Sequence, residues 1–185
     1  MKVYEKCPVL ENDRFKLRLI EMEDADALLK VYSDKNALPF FNSDNCNGTN
    51  FYNTTREGMQ EAIKCWLWEY SNKVYVRFSI IDKRSDVVIG TIEIFNRMAE
   101  DYYNNTGLLR VDVRSDYENA ESLYGIFDAI VGAAYELFDC EKIATKAPVY
   151  AIERIDALKK MQFEKCEEPL KGKNRVYYDY WVRNY

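Results

Sequence analysis

Two carboxylates and one polar turn are the residues of this chain best suited to chemistry. Glu93 sits inside the apolar stretch Val87–Arg97, and Asp112 inside Leu108–Val113. A carboxylate fixed on a central strand can take a proton from an attacking amine or from a relayed water. The same positions also suit a charge that faces solvent or an ion-pair partner, and both readings stay open for each residue. The 185 residues include no histidine, which excludes Ser-His-Asp and Cys-His mechanisms and removes the commonest metal ligand. A general base here has to be a carboxylate, a tyrosine, a cysteine or a water held by backbone groups. Directly after Val113 comes the polar turn Arg114-Ser115-Asp116-Tyr117-Glu118-Asn119, then a helical pattern. Ser122 and Leu123 fall in its first turn, where backbone N–H donors are free.

The elements that must position these residues follow from periodicity. Phe15–Ile20 alternates aliphatic and basic side chains, as a half-buried strand does. Acidic residues at Glu21–Asp24 open a helix carrying Leu28, Leu29 and Tyr32. Residues 33–53 are rich in Asn, Ser and Asp, contain Pro39 and predict a long loop, punctuated by Phe40, Phe41, Phe51 and Tyr52. Thr54-Thr55-Arg56-Glu57 matches a capping box. Met59, Ile63, Trp66, Leu67 and Tyr70 then mark an amphipathic helix. Val74–Asp82 and Val87–Arg97, joined by Lys83-Arg84-Ser85-Asp86, predict an antiparallel hairpin. After the strand 108–113, one long helix is expected over about 120–138. In it Gly125 and Gly132 would cost stability unless they pack closely against a sheet. A strand over 142–149, a helix over 151–161 and closing strands over 163–166 and 175–183 complete a single domain. The order gives a mixed α/β sheet, twisted, of about six or seven strands, with helices on both faces.

Composition narrows the classes. Hydrophobic residues make up 48% and charged residues 31%, as in ordinary globular proteins. No apolar run approaches the roughly 20 residues that span a bilayer, and charge near the N-terminus occupies the place where a signal peptide is apolar. A cytoplasmic protein with no membrane partner is expected. The five cysteines are scattered without Cys-x-x-Cys spacing, so reduced, mostly buried thiols are expected rather than a metal site or disulfides. The Asn-x-Thr sequons at Asn47, Asn53 and Asn104 read as chance occurrences. A net charge of −5 without a basic block argues against nucleic acid as a partner.

Four runs, in this order and spacing, resemble the GNAT superfamily of N-acetyltransferases, and within it the ribosomal-protein N-terminal acetyltransferases. They are Leu17-Arg18-Leu19-Ile20, Ile89-Gly90-Thr91-Ile92, Tyr135-Glu136-Leu137-Phe138-Asp139-Cys140-Glu141-Lys142-Ile143, and Ala157-Leu158-Lys159-Lys160-Met161-Gln162-Phe163. The resemblance spans Arg14 to Tyr185. It implies a GNAT fold and transfer of acetyl from acetyl-CoA to a primary amine, on a small molecule or a protein N-terminus, by a monomer or homodimer. It also implies a cofactor site: backbone of Val111 and Val113 along the pantetheine arm, and Asn119, Ser122 and Leu123 at the pyrophosphate. Glu93 or Asp112 would be the catalytic base.

Against that pattern the local residues differ. The family turn reads Q/R-x-x-G-x-G/A, and Asp116, Asn119 and Glu121 stand at its marked positions. A carboxylate about 4 Å from a phosphate costs roughly 4 kcal/mol at an effective dielectric near 20, provided Glu121 faces the ligand. The family's Asn at the start of the second core helix is Ala151 here, its thiolate-protonating Tyr is Leu158, the glycine before the closing Phe is Gln162, and a strand glutamate is Leu108. A second reading therefore stands beside acetyl transfer: a GNAT fold that acts as a ligand-binding or protein-interaction module.

Overall fold

The computed structural model describes residues 2–46 and 48–185; the sequon at Asn47 lies outside them. The spine is an eight-stranded sheet in the order β1-β2-β3-β4-β5-β6-β10-β7. Its strands are β1 (Leu10–Glu11), β2 (Phe15–Leu19), β3 (Val76–Asp82), β4 (Val87–Arg97), β5 (Thr106–Val113), β6 (Lys142–Lys146), β7 (Glu164–Lys165) and β10 (Tyr180–Asn184). A separate small hairpin pairs β8 (Leu170–Lys171) with β9 (Val176–Tyr177). Every neighbouring pair in the large sheet is antiparallel except β5 with β6. The helices are α1 (Ala25–Tyr32), α2 (Arg56–Ser71), α3 (Ala120–Asp128), α4 (Val131–Phe138) and α5 (Ile152–Lys160). Among the described residues no helix is long and apolar enough to cross a membrane.

The two faces of the sheet differ in chemistry because strand side chains alternate. Phe78, Ile80, Ile92, Ile94, Leu109, Val111 and Val113 join Leu123, Ile126, Phe127 and Leu158 in the main core. On the other face, Leu28, Tyr32, Met59, Ile63 and Trp66 of α1 and α2 form a second core. Between that core and the strands lies a buried polar layer: Arg77, Ser79, Thr91, Glu93 and Asp112.

Most predicted elements appear, with corrections. The sheet has eight strands rather than six or seven. Helix 120–138 is two helices: Ala129 and Ile130 break it, and the Ile130 N–H bonds the carbonyl of Phe127, three residues back. The Gly125 carbonyl is shared there between the Ala129 N–H (3.2 Å) and the Asn12 amide (2.8 Å). Gly125 does meet the sheet, since an added Cβ would lie 2.9 Å from the Phe15 ring, but Gly132 faces open space, so close packing explains only the first. The cap of α2 is Thr55, whose Oγ1 accepts from the Gly58 N–H at 3.1 Å, not Thr54. The last expected strand splits at Tyr178-Asp179, where Asp179 takes a left-handed φ of 66°; β9 turns back on β8 while β10 enters the large sheet between β6 and β7. Of the cysteines only Cys140 is fully buried, and Cys65 is exposed.

Candidate functional site

The parallel ladder between β5 and β6 ends at Leu109↔Thr145, while β5 continues to Val113 paired with β4 alone. The two strands therefore part, and the gap between their ends, the cleft, runs beside Val111 and Val113. Backbone alternation places the Arg114 N–H on the Ile89 carbonyl at 3.0 Å. The polar groups of Val111 and Val113 consequently point away from β4, toward the cleft. The side chains of both are buried in the core.

The far end of the cleft is occupied by the protein itself. Arg154 of α5 and Glu118 of the turn form a bidentate pair, Nε–Oε1 2.7 Å and Nη2–Oε2 2.7 Å, with side-chain exposures of 1% and 6%. Burial works against the Arg154 charge, but Glu118 more than restores it and its pKa is raised. The neighbouring Glu153 sends Oε2 to the Ala120 N–H at 2.8 Å, where the positive end of α3 would otherwise meet an external anion. Asn119 caps the same turn: its Oδ1 accepts from the Ser122 N–H at 3.0 Å and its carbonyl from the Leu123 N–H at 3.0 Å. Ser122 and Leu123 are themselves buried. Three donors of the first helical turn are thus already satisfied, and the residues present do not fit a pyrophosphate.

Glu121 behaves differently from the sequence expectation. It is 82% exposed and reaches Arg14 at 3.2 Å, so the roughly 4 kcal/mol repulsion does not apply. Every carboxylate of the acidic turn has its own guanidinium: Asp116 with Arg114 at 2.6 Å, Glu118 with Arg154, Glu121 with Arg14. Ala151 and Leu158 are buried core positions.

The two candidate bases meet in the polar layer. Glu93 lies between two guanidiniums, with Arg77 on Oε2 and Arg110 on Oε1 at 2.8 Å. Arg77 also donates to Thr91 at 3.0 Å and to the Tyr32 hydroxyl at 3.1 Å. Tyr32 in turn donates to Asp112 Oδ2 at 3.1 Å. The Arg77 guanidinium lies 4.2 Å from the Trp66 ring. With both oxygens engaged by cations, Glu93 anchors the Arg77 and Arg110 guanidiniums. Asp112 keeps one free acceptor, since its buried Oδ1 has no partner. Burial pushes its carboxyl above the ordinary range, with Arg77 and Arg154 pulling the other way. Asp112 is 1% exposed and lies beneath the Tyr32 hydroxyl.

The aromatic loop mainly packs. Phe41 and Phe51 lie 5.3 Å and 6.4 Å from the Tyr32 ring. Phe40 meets Tyr150 edge-on at 5.9 Å, and the Tyr150 hydroxyl donates to the Pro39 carbonyl at 2.6 Å, so the loop is strapped to the segment entering α5. Sequence reasoning did not single out Glu118–Arg154, Glu153, Arg77 or Arg110. One of these left a signal: Arg77 interrupts the apolar run Val76–Ile81, where a charge is tolerated only if paired. The pairing of Glu118 with Arg154, 36 residues apart, leaves no local trace.

No known family profile and no curated protein matches the chain. Solved structures do. An acetyltransferase of the GNAT family from Bacillus anthracis superimposes with a TM-score of 0.70 at 15% identity, covering 96% of this chain and 98% of that one. A ribosomal-protein alanine acetyltransferase from Vibrio fischeri gives 0.70 at 15% identity, with 96% of both chains covered. A ribosomal-protein α-N-acetyltransferase solved with coenzyme A gives 0.70 at 12% identity, over 96% of this chain and 98% of that one. The chain has the GNAT acetyltransferase fold.

Proposed function

We propose that this chain is a single GNAT-fold domain that has given up acetyl-CoA and serves as a ligand-binding or interaction module, in keeping with the second reading of its sequence. The observation that carries this is the self-filled cleft: Arg154–Glu118 buried at its far end and Glu153 seated on the Ala120 N–H. Admitting a pyrophosphate there means breaking a buried ion pair and displacing a carboxylate from a helix terminus, several kcal/mol before any contact forms.

Acetyl transfer to a primary amine is the second reading, and one observation favours it. The strands part beside Val111 and Val113, and Glu121 faces outward, as a bound cofactor arm would need. In that case Asp112, with its free Oδ1, is the better base of the two candidates. Calorimetry with acetyl-CoA and a parallel thermal melt separate the readings. The module gives no saturable heat and no shift up to millimolar ligand. A stabilisation approaching about 2.7 kcal/mol at a hundred times the dissociation constant would overturn it in favour of the enzyme.

A further inference from the structure

We propose that the cavity between residues 43–46 and 48–50 on one side and the β8–β9 hairpin on the other binds a phosphorylated, hydroxyl-rich small molecule. The proposal does not depend on whether acetyl-CoA binds, although it names a ligand class for the module reading. The cavity encloses about 600 Å³ and is lined by Asn45, Thr49, Lys171, Lys173, Arg175 and Tyr177 among others. That volume suits a metabolite-sized ligand.

Charge selects the ligand. The hairpin turn Lys171-Gly172-Lys173-Asn174-Arg175 concentrates three cations in five residues of a chain whose net charge is −5. Among the described residues none of the three makes an ion pair, whereas Arg97, Arg110 and Lys146 nearby are all paired. The acid in the cavity wall is Asp44, and it is spoken for: both oxygens accept from Lys146 at 2.9 Å, and Oδ2 also from the Tyr180 hydroxyl at 3.1 Å. The uncompensated charge facing the cavity is therefore positive, as a phosphate dianion requires. Amide and hydroxyl groups of Asn45 and Thr49 supply partners for a polyhydroxylated body.

The walls are fixed as well as charged. Arg110 donates to the Asp44 carbonyl at 2.8 Å, which holds the root of the loop, and the Asn45 N–H donates to the Tyr177 hydroxyl at 2.9 Å. Gly172 lets the two walls meet, since a Cβ there would lie 2.3 Å from the Asn45 side-chain oxygen and 2.5 Å from the Tyr177 ring. At the hairpin base, Arg97 donates to the Lys171 carbonyl at 2.8 Å and the Lys171 N–H donates to Asp101 at 3.0 Å. Preorganisation of this kind separates a binding cavity from a mobile basic loop.

Calorimetry of the full chain with a hexose monophosphate, free hexose, inorganic phosphate and a short acidic peptide tests the assignment. The expected result is saturable hexose-phosphate binding at least about tenfold tighter than inorganic phosphate, with free hexose silent. The exposed double variant Lys173→Glu/Arg175→Glu, checked for an unchanged melt, should lose about tenfold or more. Absence of hexose-phosphate heat, equal affinity for inorganic phosphate, no loss in the double variant, or tighter binding of the acidic peptide would each overturn the proposal. If acetyl-CoA also binds while the hexose phosphate behaves as expected, the closed-cleft reading fails and this site stands.

Discussion

Glu118 and Arg154 each hold the other inside the protein, and neither is tolerable there alone. Glu118→Ala leaves a guanidinium at 1% side-chain exposure without its counter-charge, and the expected loss is about 3–5 kcal/mol, read as a urea midpoint. Replacing both residues with methionine or leucine should recover most of that loss, since similar volume refills the space without desolvated charge. A single variant as stable as the parent would show that the pair contributes nothing to closing the cleft. At this scale the sequence was only partly legible. It named Glu93 and Asp112 and allowed for ion-pair partners, and both turned out to be buried among arginines. It could not show which oxygens remain free, because that depends on Arg77, Arg110 and Tyr32 arriving from other elements.

Among the elements, the two helical glycines make opposite forecasts. At Gly125 a methyl group would push against the Phe15 ring, 2.9 Å away. Gly125→Ala should therefore lower stability by about 1–3 kcal/mol through overpacking, in spite of its better helix propensity. At Gly132 nothing lies within 4 Å, and Gly132→Ala should raise stability by up to about 1 kcal/mol. Paired thermal melts check both, and the same sign for both would contradict the packing described. Hydrophobic spacing revealed where the helices and the central hairpin lie, because one face of each is apolar. It missed the break at Ala129-Ile130 and the split of the last strand. Those depend on a carbonyl claimed by Asn12 and on the left-handed turn at Asp179, neither of which alters the apolar period.

For the whole molecule, the polar layer under α1 and α2 sets how stability varies with pH. The Asp24 carboxyl, which burial alone would raise, is held below the ordinary range by hydrogen bonds from Arg18, Ser79 and the Glu21 N–H. Its contribution is complete above the unfolded value near 4 and is lost as pH falls through the lower folded value. Asp112 runs the other way, because its raised folded value makes the native state give up stability as pH climbs through it. Urea midpoints measured from about pH 3 to about pH 8 should therefore peak in the mildly acidic range. Asp112→Asn should remove the decline on the alkaline side, and an unchanged decline would show that this carboxylate ionises freely. The order and spacing of elements made this architecture readable from the chain, since a fold tolerates many residues at each position. The contents of its cleft were not readable, because they depend on which distant side chains meet. The Glu118–Arg154 pair has one more consequence, for how the chain can diverge. Any lineage that begins to reopen the cleft by a single substitution passes first through a poorly folding ancestor. Drift is thereby steered away from reopening the cleft, and new specificity has to arise elsewhere on the surface.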